Sequence, residues 1–153
     1  MKKRTITAAL IAFVLGVLVG GGVGVLYTTR LTASTLLLLT TGELHESAQH
    51  AWQAYFDESP PVAEWALSNH LAVVHELGEI GYPHDAELRL HELAAHVRLA
   101  KLANRREDSE AEASHMAKAL EAALKSSAHA FCNLKADEDV MAFVTKLDEN
   151  RLP

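Results

Sequence analysis

The chain has 153 residues, 49% of them hydrophobic, and its 14 Lys and Arg against 20 Asp and Glu give a formal net charge of -6 at pH 7. Because a negative surface repels phosphate groups, this balance argues against nucleic acid as a partner. The single cysteine, Cys132, excludes an internal disulfide, a CxxC redox pair and a multi-thiolate metal site.

The N-terminal part of the chain contains a long uncharged segment. Residues 5–29 carry no charged side chain, and residues 6–27 are apolar or small apart from one threonine and one tyrosine. At about 1.5 Å per residue, a helix over residues 6–27 reaches roughly 33 Å, enough to cross the hydrocarbon core of a bilayer. We therefore predict a cytoplasmic basic N-terminus at residues 1–4, a transmembrane helix at residues 5–29 and an extracytoplasmic helical domain at residues 30–153.

The charges that flank this segment indicate its orientation. Lys2, Lys3 and Arg4 precede it, and Arg30 follows it. Positive side chains near a span are retained on the cytoplasmic side, so we expect the protein in a bacterial inner membrane with its C-terminal domain in the periplasm. The alternative is a signal peptide that is cleaved within the Gly-rich stretch 20–24, which would release a secreted helical protein.

Small side chains recur at every fourth position along the predicted span. They form one ridge on the helix, and such a ridge allows a second transmembrane helix to approach closely. We therefore expect another transmembrane helix, from a copy of this chain or from a partner subunit, to pack against it. The ridge consists of Ala8, Ala12, Gly16, Gly20 and Gly24.

The rest of the chain has the hydrophobic periodicity of helices, and no stretch alternates as a strand would. A first helix is predicted to continue to about Phe56. A second is predicted to begin after Ser59, its capping residue, and to run to Ile80, where Gly81 stops it.

Three further helices are predicted beyond that glycine. Their bounds are about residues 83–106, about 108 to 131 or 132, and about 137–149. Short connections between long helices favour antiparallel neighbours. We therefore predict an all-α fold in which an up-and-down four-helix bundle is followed by a short extra C-terminal helix, packed across the bundle or across one end.

Histidine is the main compositional oddity, with nine residues that all lie beyond residue 44. His70 falls near the centre of the apolar face of the second helix, so we expect it to be buried, neutral and hydrogen-bonded to a neighbouring helix. Burial disfavours the charged imidazole, so acid is expected to loosen the bundle. His115 and His129 fall on the polar side of the fourth helix, where a solvated face is the simplest interpretation.

A metal site is the alternative use of these histidines. His84, Glu87 and His91 stand at positions i, i+3 and i+7, within about 60° of arc on one helix. Imidazole and carboxylate ligands suit zinc, copper or nickel. The same spacing is also typical of a solvated face, and it recurs at Glu43, Glu46 and His50.

Motifs for catalysis are missing from the sequence. It contains no GxSxG, no phosphate-binding glycine loop beyond the N-terminal segment and no cysteine beside a suitable base, so we do not expect an enzyme. The sequence predicts a single-pass, membrane-anchored interaction protein, an accessory or scaffold subunit of an inner-membrane complex with a protein partner in the periplasm. The alternative is a histidine-rich periplasmic domain that senses pH or binds a metal ion.

Overall fold

The computed structural model describes residues 35, 37–126 and 134–149. Within these residues the chain is helical and contains no strand, as the predicted all-α fold requires. The predicted transmembrane helix at residues 5–29 and its ridge of small residues lie outside the described residues. In the part that is described, no helix combines the length and the apolar content needed to cross a bilayer.

The chain divides into two compact units, Met1–Leu39 and Thr40–Pro153. In the first unit, residues 35 and 37–39 are described and are helical. The described part of the second unit is a bundle of five helices. They are α1 at residues 40–57, α2 at Pro60–Glu79, α3 at Asp85–Arg105, α4 at Ser109–Lys125 and α5 at Asp137–Glu149.

Two prolines and a glycine set the ends of α2. Pro60 and Pro61 occupy its first turn, where a missing N–H is tolerated because first-turn amides have no partner within the helix. Ser59 is the capping residue with extended backbone, although its side chain makes no capping hydrogen bond. Ile80 is the C-cap, and Gly81 follows with a φ of +78°, in the left-handed region that glycine favours. The ends of α2 in the structure therefore agree with those predicted from the sequence.

The fourth helix begins as predicted but ends earlier. Asp108 is its N-cap, and the Asp108 side chain accepts a hydrogen bond of 3.0 Å from the amide of Ala111. The helix was expected to reach residue 131 or 132, but Ser126 has extended backbone, with φ -73° and ψ 131°, so α4 stops at Lys125. Consecutive serines at 126 and 127 favour this end, because their hydroxyls compete for backbone groups.

Consecutive helices from α1 to α4 run antiparallel, since later residues of one helix contact earlier residues of the next. Short turns between α2, α3 and α4 impose this arrangement. The paired contacts are Ser47–His70 and Thr41–Tyr82 at the α1–α2 side, His70–His91 and Glu64–Arg106 at the α2–α3 side, and His96–His115 and Asn104–Glu112 at the α3–α4 side.

The middle of α3 lies at the centre of the bundle. Every residue from Leu93 to Ala100 is buried. Since successive residues are turned by 100°, eight in a row cover all directions around the helix. α5 packs against α3, where Asp148 contacts Arg98, and against α4. α3 is therefore the helix that the other four share.

Candidate functional site

A chain of hydrogen bonds joins three helices at the centre of the bundle. His70 on α2 is fully buried, at 0% exposure. Its Nδ1 lies 2.9 Å from Oγ of Ser47 on α1, and its Nε2 lies 3.2 Å from Nδ1 of His91 on α3. We call His70 and His91 the inner pair.

The serine hydroxyl sets the direction of these hydrogen bonds. Ser47 Oγ donates its proton to the carbonyl oxygen of Leu44, at 3.0 Å. It therefore accepts from the Nδ1–H of His70, and the neutral His70 ring leaves Nε2 free to accept from the Nδ1–H of His91. In this arrangement both imidazoles are uncharged.

An indole and a guanidinium enclose the inner pair. The Trp52 ring contacts His70 edge-on, with centroids 5.0 Å apart, and lies 5.9 Å from the His91 ring. The Arg98 guanidinium carbon lies 4.1 Å from the centroid of Trp52. Burial, together with smaller effects of the nearby His91 and Arg98, lowers the pKa of His70 to about 3.

His91 lies in a similar environment. Burial lowers its pKa to about 4, a value that includes an opposing effect of the Glu87 carboxylate on α3 and smaller lowering effects of His45 on α1 and of Arg98. Both members of the inner pair therefore stay neutral down to pH values well below 7.

Arg98 carries a buried positive charge beside the inner pair, and Asp148 on α5 compensates it. The Arg98 Nε and Nη2 donate to Oδ1 of Asp148 at 2.9 and 2.6 Å, and Lys101 Nζ donates to Oδ2 at 3.0 Å. The remaining Arg98 nitrogen, Nη1, is buried without a hydrogen-bond partner among the described residues, while the guanidinium lies over the Trp52 ring. This ion pair fixes α5 against α3.

A second pair of histidines lies on the opposite side of α3, against α4. The Nδ1 atoms of His96 and His115 are 3.1 Å apart, so one ring donates and the other accepts. His96 is buried and His115 is half-buried, so this outer pair reaches the surface. Burial, together with smaller effects of His115 and Lys118, lowers the pKa of His96 to about 4, and burial also lowers the pKa of His115.

The structure does not bring the three predicted metal ligands together. His84 is the exposed N-cap of α3, and its ring packs edge-on against Tyr82. The Glu87 carboxylate accepts a hydrogen bond of 3.2 Å from the Tyr82 hydroxyl, and the Nδ1 of His91 is engaged with His70. Across residues 37–126 and 134–149, no three His, Cys, Asp or Glu side chains form a group that could hold a metal ion.

Sequence reasoning identified His70 but missed the other buried histidines. It placed His115 on a solvated face and treated His91 as a surface residue. A signal was present in α3, because residues 93–103 contain no acidic side chain and are mostly Leu, Ala and Val. Such a stretch indicates a helix that is apolar on all sides, and its polar residues are then buried as well.

An open cleft of about 290 Å³ lies between α1 and α2, beside the inner pair. Ser47 belongs both to the cleft wall and to the hydrogen-bond chain through His70. Trp65 contributes a large apolar surface, since its side chain is 70% exposed. The described residues that line the cleft include no lysine or arginine; they are Glu43, Glu46, Ser47, His50, Trp65, Ala66, Asn69 and Val73.

Ser47, His70 and His91 follow the order of nucleophile, base and orienting group in a hydrolase, but two requirements of that chemistry are not met. A general base needs a pKa near the working pH, whereas burial lowers that of His70 to about 3. An oxyanion needs free N–H donors, whereas Ser47 lies inside α1, where amides bond to carbonyls of the preceding turn.

No protein-family model, curated protein or solved structure matches this chain.

Proposed function

We propose that this chain is a single-pass, membrane-anchored interaction protein whose periplasmic bundle binds another protein at the cleft between α1 and α2. The observation that carries this proposal is the indole of Trp65, which is 70% exposed at the edge of a cleft lined by two carboxylates. Exposed aromatic side chains on a rigid scaffold are characteristic of interfaces, because they bury a large area at a small entropic cost.

A neighbouring apolar side chain extends the surface around Trp65. Val62 lies one turn earlier on α2 and is 44% exposed, so the two share one side of the helix. A partner that covers these two side chains would remove their apolar area from water, which is the main source of affinity in protein association.

The membrane part of the proposal rests on the sequence. An uncharged segment at residues 5–29, preceded by basic residues 2–4, would anchor an up-and-down bundle at the periplasmic face of a bacterial inner membrane. The ridge from Ala8 to Gly24 would pack against a second transmembrane helix. A protein attached in this way acts as an accessory or scaffold subunit, and no catalytic step is part of its role.

Loss of the indole should remove the partner. The full chain, carrying a C-terminal tag, is purified from native membranes in mild detergent as wild type, Trp65→Ala and Leu124→Ala. Leu124 on α4 is the matched control, because it is also apolar and 66% exposed but does not line the cleft. We expect Trp65→Ala to retain at most about a tenth of the partner, the effect of losing roughly 1.4 kcal/mol of binding free energy. Equal retention by the two variants would contradict the docking site.

The anchor is tested separately. Membranes washed with alkaline carbonate should keep the full-length chain, and protease added to the periplasmic side should digest the bundle. A mature chain that is free in solution and begins after residue 20 would overturn the membrane assignment and favour a secreted protein.

A second candidate function, response to acid, is favoured by the inner pair. Its two imidazoles are neutral and enclosed, and Ser47 connects them to the cleft. A bundle that loosens in acid would lose its partner as protons are taken up. Partner retention at pH 5.5 and 7.5 tests this, with the His70→Leu/His91→Leu double variant as the control that should lose the response. Equal retention at both pH values by the wild type would remove this candidate.

A further inference from the structure

Two carboxylates, those of Glu43 and Glu46, line the α1/α2 cleft. Glu43 and Glu46 are one turn apart on α1, so their side chains share one side of the helix. Both residues are exposed, and neither takes part in an ion pair within the described part of the chain. Their negative charge is therefore available to a ligand.

The neighbouring cleft between α2 and α3 shows the contrast. It is of similar size, about 330 Å³, and Asp85 and Glu92 contribute to its lining. Arg89 lies in the same cleft and contacts Asp85 at 3.4 Å and Glu92 at 2.8 Å. Arg89 therefore pairs with two of the three carboxylates that line that cleft, Glu79 being the third, whereas neither Glu43 nor Glu46 has an ion pair among the described residues.

The indole of Trp65 adds a second preference for a cation. A tryptophan ring attracts an ammonium or guanidinium group placed over its face more strongly than other aromatic rings do. The protein uses this contact internally, where the Arg98 guanidinium carbon lies 4.1 Å from the Trp52 centroid. Trp65 and the two glutamates line the same cleft, so a segment bound there can present cationic groups to both a ring and carboxylates.

Part of the cleft wall is apolar, which favours an apolar component in the ligand as well. Ala66 and Val73 form an apolar part of the wall, and the exposed Val62 lies one turn before Trp65 on α2. Lysine and arginine have apolar stems that can lie along such a surface while the charged group reaches the carboxylates. A segment with cationic and apolar side chains on one face satisfies both parts of the cleft.

We infer that the partner contributes a cationic, amphipathic segment, with a lysine or arginine held between Glu43, Glu46 and the face of Trp65. This inference rests on the proposed function, because it specifies the chemistry of the partner at the same cleft. A cationic partner also complements the negative net charge of the whole chain, which is -6.

Designed peptides test the inference without knowledge of the natural partner. The full chain in neutral detergent micelles is titrated calorimetrically with three peptides of equal length, and empty micelles serve as the blank. The first is an amphipathic helix of lysine and leucine, the second has glutamate in place of lysine, and the third has the composition of the first with its amphipathic order scrambled. We expect binding of the first peptide only, weakened by added salt because the contact is between exposed charges.

Variants then locate the binding. Glu43→Gln/Glu46→Gln should weaken the lysine peptide by about tenfold, equivalent to roughly 1.4 kcal/mol. Glu76→Gln/Glu79→Gln is the matched control, because it removes two exposed carboxylates three residues apart on α2 that do not line the cleft. Trp65→Leu, which keeps an apolar side chain but removes the ring, should also lose affinity.

The outcomes separate the inference from the proposed function. Equal weakening by the two double variants, equal binding of lysine and glutamate peptides, or no binding of the lysine peptide would overturn the cationic partner. If one of these results is found but Trp65→Ala still releases the natural partner, the docking site stands and only its preference for cationic side chains falls. If Trp65→Ala retains that partner and the lysine peptide is insensitive to Glu43 and Glu46, both proposals fall.

Discussion

The inner and outer histidine pairs have nearly the same contact, 3.2 Å and 3.1 Å between ring nitrogens, in very different surroundings. The inner pair is enclosed by the Trp52 ring and lies near the buried charge of Arg98. The outer pair reaches the surface between α3 and α4. A proton added to the outer pair can be hydrated, whereas one added to the inner pair stays beside a guanidinium. Burial is the largest cause of the lowered pKa at all four rings, so access to water, more than the contact between the rings, sets the cost of charging each imidazole.

The largest expected effect is the response of the whole bundle to acid. The ordinary histidine pKa is 6.5, while burial lowers those of His70, His91 and His96 to about 3, 4 and 4. Above pH 6.5 these histidines take up no protons in either the folded or the unfolded chain, and the free energy of unfolding is at its plateau. Below pH 6.5 they are protonated in the unfolded chain alone, so stability falls until the pH reaches their pKa values in the folded chain. The loss is roughly 3 kcal/mol per group at pH 4.

Urea unfolding of the full chain in micelles, from pH 7.5 to pH 4.5, measures this loss. The members of the inner pair titrate as a unit, so their costs are not simply additive. Carboxylates with ordinary pKa values contribute little above pH 5. A midpoint that stays constant from pH 7 to pH 5 would contradict the assignment of neutral, buried imidazoles.

Asp148→Asn should give the next largest loss of stability, because Asp148 compensates the buried charge of Arg98 beside the inner pair. It leaves the Arg98 guanidinium buried with a neutral partner, and breaking a buried ion pair costs on the order of 3 kcal/mol. Glu149→Gln is the matched control, since it removes an exposed carboxylate from the adjacent position of α5. Chemical denaturation at pH 7.5 compares the two, and similar losses would mean that Arg98 is compensated by water.

His70→Leu should destabilise the bundle by about 2 kcal/mol, because Ser47 Oγ and His91 Nδ1 each lose a buried partner. The His70→Leu/His91→Leu double variant should recover part of this loss, since removing both polar partners leaves fewer unsatisfied groups. His75→Leu, an exposed position on the same helix, is the control. A double variant that is no more stable than His70→Leu would contradict this account of unsatisfied polar groups.

His115→Leu should have the smallest effect, about 1 kcal/mol or less, because the nitrogen that it leaves on His96 lies next to the surface. It should also flatten the pH dependence less than the inner double variant does. Equal losses from His115→Leu and His70→Leu, measured by urea unfolding at pH 7.5, would show that the two pairs do not differ in access to water.

Local signals in the sequence were enough for several features. The prolines at 60 and 61 and Gly81 marked the ends of α2, and α5 was predicted at its observed bounds. His70 followed from its place on an apolar face. These features depend on residues close together in the sequence, so pattern alone determines them.

Features that depend on several helices at once could not be predicted in this way. His91 was assigned to a polar face because a helix in a bundle is expected to have one, but α3 is surrounded and has none in its middle. The end of α4 at Lys125 was missed because apolar spacing continues past the serines that stop it. The His96–His115 contact joins two helices, and no spacing within either one indicates it.

The burial of α3 on all sides has a consequence for hydrogen exchange. The central amides of α3, residues 93–100, are bonded within the helix and covered by its neighbours on all sides, so we expect them to become accessible only when the bundle opens as a whole. Their exchange with deuterium should therefore be the slowest among the described residues, and its rate should report the global opening equilibrium. Exchange at Val62, the first amide of α2, should be faster, because fraying of this exposed turn is local.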